Sequence, residues 1–71
     1  MGTFEIRFMG TAYWVDALTN GKFNVWEGTQ RVGMVFPYTT RFEVQWKGQD
    51  GIKDDFAAKL GSLIAKKFKI S

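Results

Sequence analysis

The sequence predicts a small α+β domain: an antiparallel sheet of four to five strands, built as a meander of β-hairpins, with one C-terminal amphipathic helix packed on one face. Three observations predict this fold. Apolar side chains alternate along most of residues 3–47, as they do in strands. Two short turn signals containing glycine, Asn20-Gly21 and Gly28-Thr29, interrupt the alternation. From Ile52 onward the apolar spacing changes to three and four residues, which is the period of a helix.

Length and composition favour one small domain, over residues 1–71, with the sheet at about 3–47 and the helix at about 52–68. A chain of this size buries only about 60% of its unfolded surface. The sequence has no cysteine and no histidine, so neither disulfides nor a structural zinc site is expected to stabilise it. Three Trp, two Tyr and seven Phe are more than a two-layer domain of this size can readily bury, which favours a homodimer.

The net charge of +3 and the pI near 9.5 lean toward polyanionic partners. The N-terminal residues lack the charged and apolar segments of a signal peptide, and no stretch approaches the roughly 20 apolar residues of a membrane span. We therefore expect an intracellular, cytoplasmic protein with no membrane partner and no cofactor.

The Asn20-Gly21 signal is the stronger of the two turns, because both residues tolerate the positive φ of a type I′ turn. As a two-residue loop it pairs Leu18 with Phe23. The Gly28-Thr29 turn pairs Trp26 with Arg31. Together these registers assign one set of side chains to the core: Trp14, Leu18, Phe23, Val25, Val32, Met34 and Phe36. The opposite face then carries Tyr13, Val15, Lys22, Asn24, Trp26 and Arg31.

The register of the first strand is open. The connection runs through Met9-Gly10-Thr11. A two-residue loop there places the apolar side chains of the strand beside Tyr13 and Val15, whereas one extra bulged residue places them beside Trp14 and Leu18. We prefer the bulged connection, since it joins this strand to the predicted core. The apolar side chains in question are Phe4, Ile6 and Phe8.

Strands two to four are predicted at about 12–18, 22–28 and 30–36, after which Pro37 should end the ladder. A last strand over 41–47 alternates strictly. Its inward side chains are predicted to be Phe42, Val44 and Trp46, and its outward ones Arg41, Glu43, Gln45 and Lys47.

The helix has one apolar stripe and a charge pattern that suits its dipole. The stripe consists of Ile52, Phe56, Leu60, Leu63, Ile64 and Phe68. Asp50 or Gly51 is the expected N-cap, and Lys66, Lys67 and Lys69 lie in the last turn. Gly61 lowers helix propensity by roughly 1 kcal/mol relative to alanine, and a close approach of helix to sheet is the expected compensation.

Catalytic chemistry has few candidate residues. Without His or Cys there is no general base or nucleophile of the usual kind, and the acidic residues are scattered. Asp54 and Asp55 fit stabilisation of a helix start, and Asp50 does not complete a calcium loop. Asp16 is unusual among the acidic residues, because the alternation of the predicted second strand places it on the apolar face. We expect no enzyme activity, no catalytic residues and no metal site.

The face with mixed aromatic and basic side chains is the candidate binding surface. Indole and phenol rings can stack on bases, and flanking Lys and Arg neutralise phosphates. The candidate binding residues are Arg7, Tyr13, Lys22, Trp26, Arg31, Arg41 and Lys47. A purely structural role for Trp26 and Arg31, as a cross-strand cation–π pair, explains part of the same pattern.

Two functions follow from this surface. The first is a small non-enzymatic module that binds nucleic acid, DNA or RNA. The alternative is a protein–protein interaction module, such as an accessory subunit or a small inhibitor encoded by a phage or plasmid, because surfaces rich in Trp, Tyr and Arg are also typical of protein interfaces.

Overall fold

A computed structural model describes residues 2–68 of the chain. The elements are β1 (Thr3–Phe8), β2 (Thr11–Ala17), β3 (Phe23–Glu27), β4 (Gln30–Thr39), β5 (Val44–Gln49) and α1 (Asp54–Phe68). The strands form one antiparallel sheet in the order β1-β2-β3-β4-β5, and α1 packs on one of its faces. The predicted α+β fold is thus confirmed, with five strands.

The β1–β2 connection is a two-residue turn. Phe8 pairs with Thr11, and the intervening Met9 and Gly10 have φ values of 55° and 81°, as a type I′ turn requires. The apolar side chains of β1 therefore lie beside Tyr13 and Val15. Our preferred bulged connection was wrong, and the simpler alternative is the one that forms.

The β2–β3 loop has three residues, one more than predicted. Ala17 pairs with Phe23, and the Leu18 N–H donates to the Lys22 carbonyl oxygen at 2.9 Å, which leaves a three-residue loop ending on Gly21 at φ 83°. A three-residue loop whose last residue is left-handed is a common hairpin connection. The extra residue reverses the predicted faces of β2 relative to β3, so Trp14 points outward and Tyr13 inward.

The β3–β4 turn at Gly28-Thr29 forms as predicted, with Trp26 opposite Arg31. A bulge then shifts the register, and Val25 pairs with Gly33. Beyond the bulge the residues of β4 exchange faces. Met34 and Phe36 consequently point away from the core, to which they had been assigned, and Val35 is fully buried in the core.

Strand β4 does not stop at Pro37 but continues to Thr39. Pairing with β3 ends at Val35, so from Pro37 onward β4 has only β5 as a neighbour, and a missing N–H is tolerated there as on an edge strand. Strand β5 begins at Val44, later than predicted. Trp46 packs inward as expected, but Phe42 lies in the loop before β5 and is 90% exposed.

The core lies between α1 and the inward side of the sheet. Its fully or nearly buried apolar side chains are Ile6, Val15, Phe23, Val25, Val35, Ile52, Ala57, Leu60 and Ile64. Helix α1 lies closest to β5, β4 and β1, which include both edge strands. The backbones of β1, β4 and β5 lie closer to α1 than those of the middle strands β2 and β3, so the edges of the sheet curve toward the helix and the opposite face is convex.

Helix α1 begins at Asp54, two residues later than predicted. The Ala57 N–H donates to the Lys53 carbonyl oxygen, which makes Lys53 the N-cap in place of Asp50 or Gly51. Ile52 precedes the helix and is buried in the core. The predicted close approach at Gly61 is confirmed, because a Cβ at this position would overlap the Trp46 indole. Lys69 and the side chain of Phe68 lie outside the described residues.

Candidate nucleic-acid interface

The face of the sheet opposite α1 is uncovered within residues 2–68. We call it the outer face. Its side chains come from all five strands and the β2–β3 loop: Glu5, Arg7, Trp14, Asp16, Lys22, Asn24, Trp26, Arg31, Met34, Phe36, Tyr38, Lys47 and Gln49. Asp16, which sequence parity had assigned to the apolar side, lies here because of the reversal of β2. Its Oδ1 accepts a hydrogen bond from the Thr3 hydroxyl at 2.5 Å.

Two tryptophans occupy neighbouring positions on the outer face. Trp14 and Trp26 are directly paired across β2 and β3, and Arg31 is paired with Trp26 on the other side. Directly opposite residues have Cβ atoms about 4.5–5.5 Å apart. Trp14 is 45% exposed, and Trp26 is partly exposed. The sheet therefore presents two adjacent indoles, with Arg31 at the neighbouring position of the next strand.

The Arg31 guanidinium is held by its neighbours. Nε and Nη2 donate to Asn24 Oδ1 at 3.3 and 3.1 Å, and Nη2 also contacts Asp50 Oδ2 at 3.2 Å. Its side chain remains 37% exposed. The charge is thus fixed next to Asn24 and Asp50, while part of the guanidinium is still accessible to a ligand.

A second aromatic group lies farther along β4. The Lys22 ammonium is 5.1 Å from the centre of the Phe36 ring, and the Lys47 ammonium is 5.6 Å from that of Tyr38. Tyr38 is 52% exposed. Lys22 Nζ also donates to Gln49 Oε1 at 3.3 Å. On the other side of β5, Lys47 Nζ lies 3.9 Å from Asp54 Oδ2.

The structure brings together most, but not all, of the predicted site residues. The five on the outer face are Arg7, Lys22, Trp26, Arg31 and Lys47. The placement of Tyr13 on this face was wrong: its ring packs inward against Phe56, with 5.9 Å between ring centres. Arg41 is exposed in the loop between β4 and β5, beyond the paired residues.

Sequence reasoning missed three aromatic members of the outer face. Trp14 and Phe36 had been assigned to the core, and Tyr38 to a break after β4. A signal for Trp14 was present in β2 itself. Trp14 shares its parity with Asp16, whereas Tyr13, Val15 and Ala17 form an uninterrupted apolar alternation. The charged residue indicates which of the two sets faces solvent.

Other kinds of site find little support in the described part of the chain. Residues 2–68 contain no group of three or more acidic side chains placed to hold a metal ion. The one helix in this range is too short and too polar to cross a membrane. No protein-family model, no curated protein sequence and no solved structure matches the chain significantly.

Proposed function

We propose that this protein binds single-stranded nucleic acid on the outer face of its sheet. The observation that carries the proposal is the pair Trp14 and Trp26, which lie side by side on the uncovered face, the first exposed and the second partly exposed, with Arg31 paired to Trp26. Bases would stack on the indoles, each worth about 1–3 kcal/mol, and the cations would contact phosphates.

Exposed indole rings favour a single strand over a duplex as the ligand. In a duplex the faces of the bases are stacked on one another, and only their edges are accessible in the grooves. In a single strand the faces are free to stack on aromatic side chains, as they do on other sheet surfaces that bind RNA. The curvature of the outer face also suits a flexible strand, which can follow a convex surface.

Charge complements the aromatic pair. Lys22, Arg31 and Lys47 lie on the β3–β5 side of the outer face, and each is held near an aromatic ring or a polar neighbour. A phosphate backbone could run along these cations while bases reach toward Trp26 and Trp14. Arg31 and Lys47 also contact Asp50 and Asp54, so binding would replace these carboxylate contacts with phosphate contacts. This replacement should be sensitive to salt.

The test is fluorescence anisotropy with labelled single-stranded DNA and RNA, and with a duplex of the same sequence, at several salt concentrations. We expect tighter binding to a single strand and an affinity that falls as salt rises. Lys22→Gln and Lys47→Gln should each lower the slope of log K against log salt by about 0.7.

Lys59→Gln is the matched control, since Lys59 is exposed on α1, which packs on the opposite face of the sheet. It should leave the slope nearly unchanged. Binding no tighter than millimolar would contradict the proposal, and so would a Lys59 variant that alters the slope as much as the other two.

A protein partner is the second candidate. The observation that favours it is that Arg31 and Lys47 already have acidic partners, while Trp14 and Tyr38 are about half exposed. Exposed Trp, Tyr and Arg are typical of the centre of protein interfaces. Co-purification before and after nuclease treatment separates the two functions. A specific partner that survives nuclease and is lost with Trp14→Ala would favour an accessory subunit or inhibitor.

A further inference from the structure

The outer edge of β1 offers unpaired backbone groups. The Ala17 N–H donates to the Gly2 carbonyl oxygen at 3.1 Å, which identifies residues 2 and 17 as a hydrogen-bonded pair. Such pairs alternate along an antiparallel ladder. The even-numbered residues of β1 therefore bond to β2, and Thr3, Glu5 and Arg7 direct their N–H and C=O groups toward the free edge.

The other edge of the sheet is protected. The N–H of Gly48 in β5 donates to Asp54 Oδ1 at 3.1 Å, and the chain leading into α1 passes close to this strand. Beside β1, by contrast, there is an open groove of about 440 Å³. It is lined by Glu5, Ile6, Arg7, Leu63, Lys66 and Lys67. An added strand could reach β1 but not the corresponding part of β5.

The charges on β1 are complementary to a second copy of the same strand. Glu5 and Arg7 both lie on the outer face, and neither has an ion-pair partner among the described residues. If β1 pairs in antiparallel orientation with β1 of a second copy, two registers use the free N–H and C=O groups and leave most residues of β1 paired. One places Glu5 opposite Glu5 of the second copy. The other places Glu5 opposite Arg7 twice, once on each side of Ile6.

We propose that β1 pairs with β1 of a second copy about a two-fold axis at Ile6, with Glu5 of each copy opposite Arg7 of the other. The pairing would join the five strands of each copy into one continuous sheet, with both outer faces on the same side. Successive strands are about 4.8 Å apart, so the two Trp14 residues would lie about three strand spacings apart across the sheet.

An acidic peptide is the competing occupant, because Lys66 and Lys67 line the groove on the helix side. The edge itself argues against it, since a carboxylate on the outer face would meet Glu5 as readily as Arg7. A second copy satisfies both charges. The remaining alternative is that the two charges only prevent edge-to-edge association, as charged residues on edge strands do.

The test is sedimentation equilibrium over about 10 μM to 1 mM. One pair of strands is a small interface, so we expect a dimer with a dissociation constant on the order of 10–100 μM. Glu5→Arg and Arg7→Glu should each weaken the dimer by at least about tenfold, because the two-fold axis places two like-charge pairs in each variant. Far-UV circular dichroism should show that both variants remain folded.

Mixing the two variants is the decisive measurement. One chain then carries arginine at both positions 5 and 7 and the other carries glutamate at both, so every cross-strand pair joins opposite charges. A heterodimer should form where neither variant alone dimerises. The double variant E5R/R7E should dimerise by itself. Glu43→Arg and Arg41→Glu make the same charge changes in the β4–β5 loop, at the other edge of the sheet, and should not affect association.

Three results would overturn the proposal. They are a wild-type protein that stays monomeric to 1 mM, a dimer indifferent to both charge reversals, and variants that fail to associate when mixed. A monomer that binds a poly-glutamate peptide through Lys66 and Lys67 would assign the groove to an acidic segment instead. None of these outcomes depends on whether the outer face binds nucleic acid.

Discussion

Gly61→Ala should destabilise the protein by about 2–3 kcal/mol, although helix propensity alone predicts a gain of about 1 kcal/mol. The reason is the contact between α1 and β5. A Cβ at Gly61 would overlap the ring of Trp46, which itself packs against Phe23 with 5.7 Å between ring centres. The helix must then move away from the sheet, or the indole must leave its position. Urea denaturation of the two proteins measures the difference.

Ser62→Ala is the matched control, because Ser62 is the next residue of α1 and is exposed. It should change the free energy of unfolding by less than about 0.5 kcal/mol. Trp46→Leu should relieve part of the overlap, so that Gly61→Ala costs less in a protein that already carries Trp46→Leu than in the wild type. A stabilising Gly61→Ala would show that the helix and β5 are farther apart than described.

The close approach at Gly61 also shows which parts of the fold the sequence could predict. A change in apolar period from two to three or four is a property of many residues at once, so strand and helix were distinguished reliably. A glycine inside a strong helical pattern requires a compensating reason, and that reason was identified correctly. These predictions depend on patterns that remain recognisable when the position of an element is wrong by one residue.

The prediction of strand register, by contrast, fails with an error of one residue, because such a shift moves every side chain of a strand to the other face. The Asn20-Gly21 signal located a hairpin, but the sequence did not reveal whether its loop has two residues or three, and the third residue reversed the faces of β2. The bulge near Val25 reversed the second half of β4 in the same way. Which residue is accommodated in a loop or bulge depends on the packing of the whole core. The turn residues do not report it, and the only local indication for β2 was the shared parity of Trp14 and Asp16.

The residues of the candidate site were predicted correctly or incorrectly for the same reason. Trp26 and Arg31 were placed correctly because they flank the Gly28-Thr29 turn on the side before the bulge. Trp14 and Phe36 were misplaced because each lies beyond a register shift. The presence of a mixed aromatic and basic surface was therefore predictable, whereas its second indole was missed because the turn signal was given more weight than the parity of Asp16.

The three tryptophans should respond differently to substitution by alanine. Trp46 packs against Phe23 and Gly61 in the core, so Trp46→Ala should cost about 3–5 kcal/mol of stability. Trp14 is 45% exposed on the outer face, and Trp14→Ala should cost about 1 kcal/mol or less. The sequence pattern alone placed Trp14 with Trp46 and predicts the larger loss for both, so one denaturation series decides between the two registers of β2.

The substitutions that cost little stability should have the larger effect on binding of nucleic acid. Trp14→Ala and Trp26→Ala should each weaken binding of a single-stranded oligonucleotide by about 5- to 150-fold, which corresponds to about 1–3 kcal/mol for one stacked base. Trp14→Phe retains an aromatic plane and should recover much of the affinity, whereas Trp14→Leu retains bulk without the plane and should not. If Trp14→Ala proves as destabilising as Trp46→Ala, the register of β2 is wrong. If it is stable and binds as the wild type does, the bases do not stack on this indole, and the proposed interface fails even though the fold is correct.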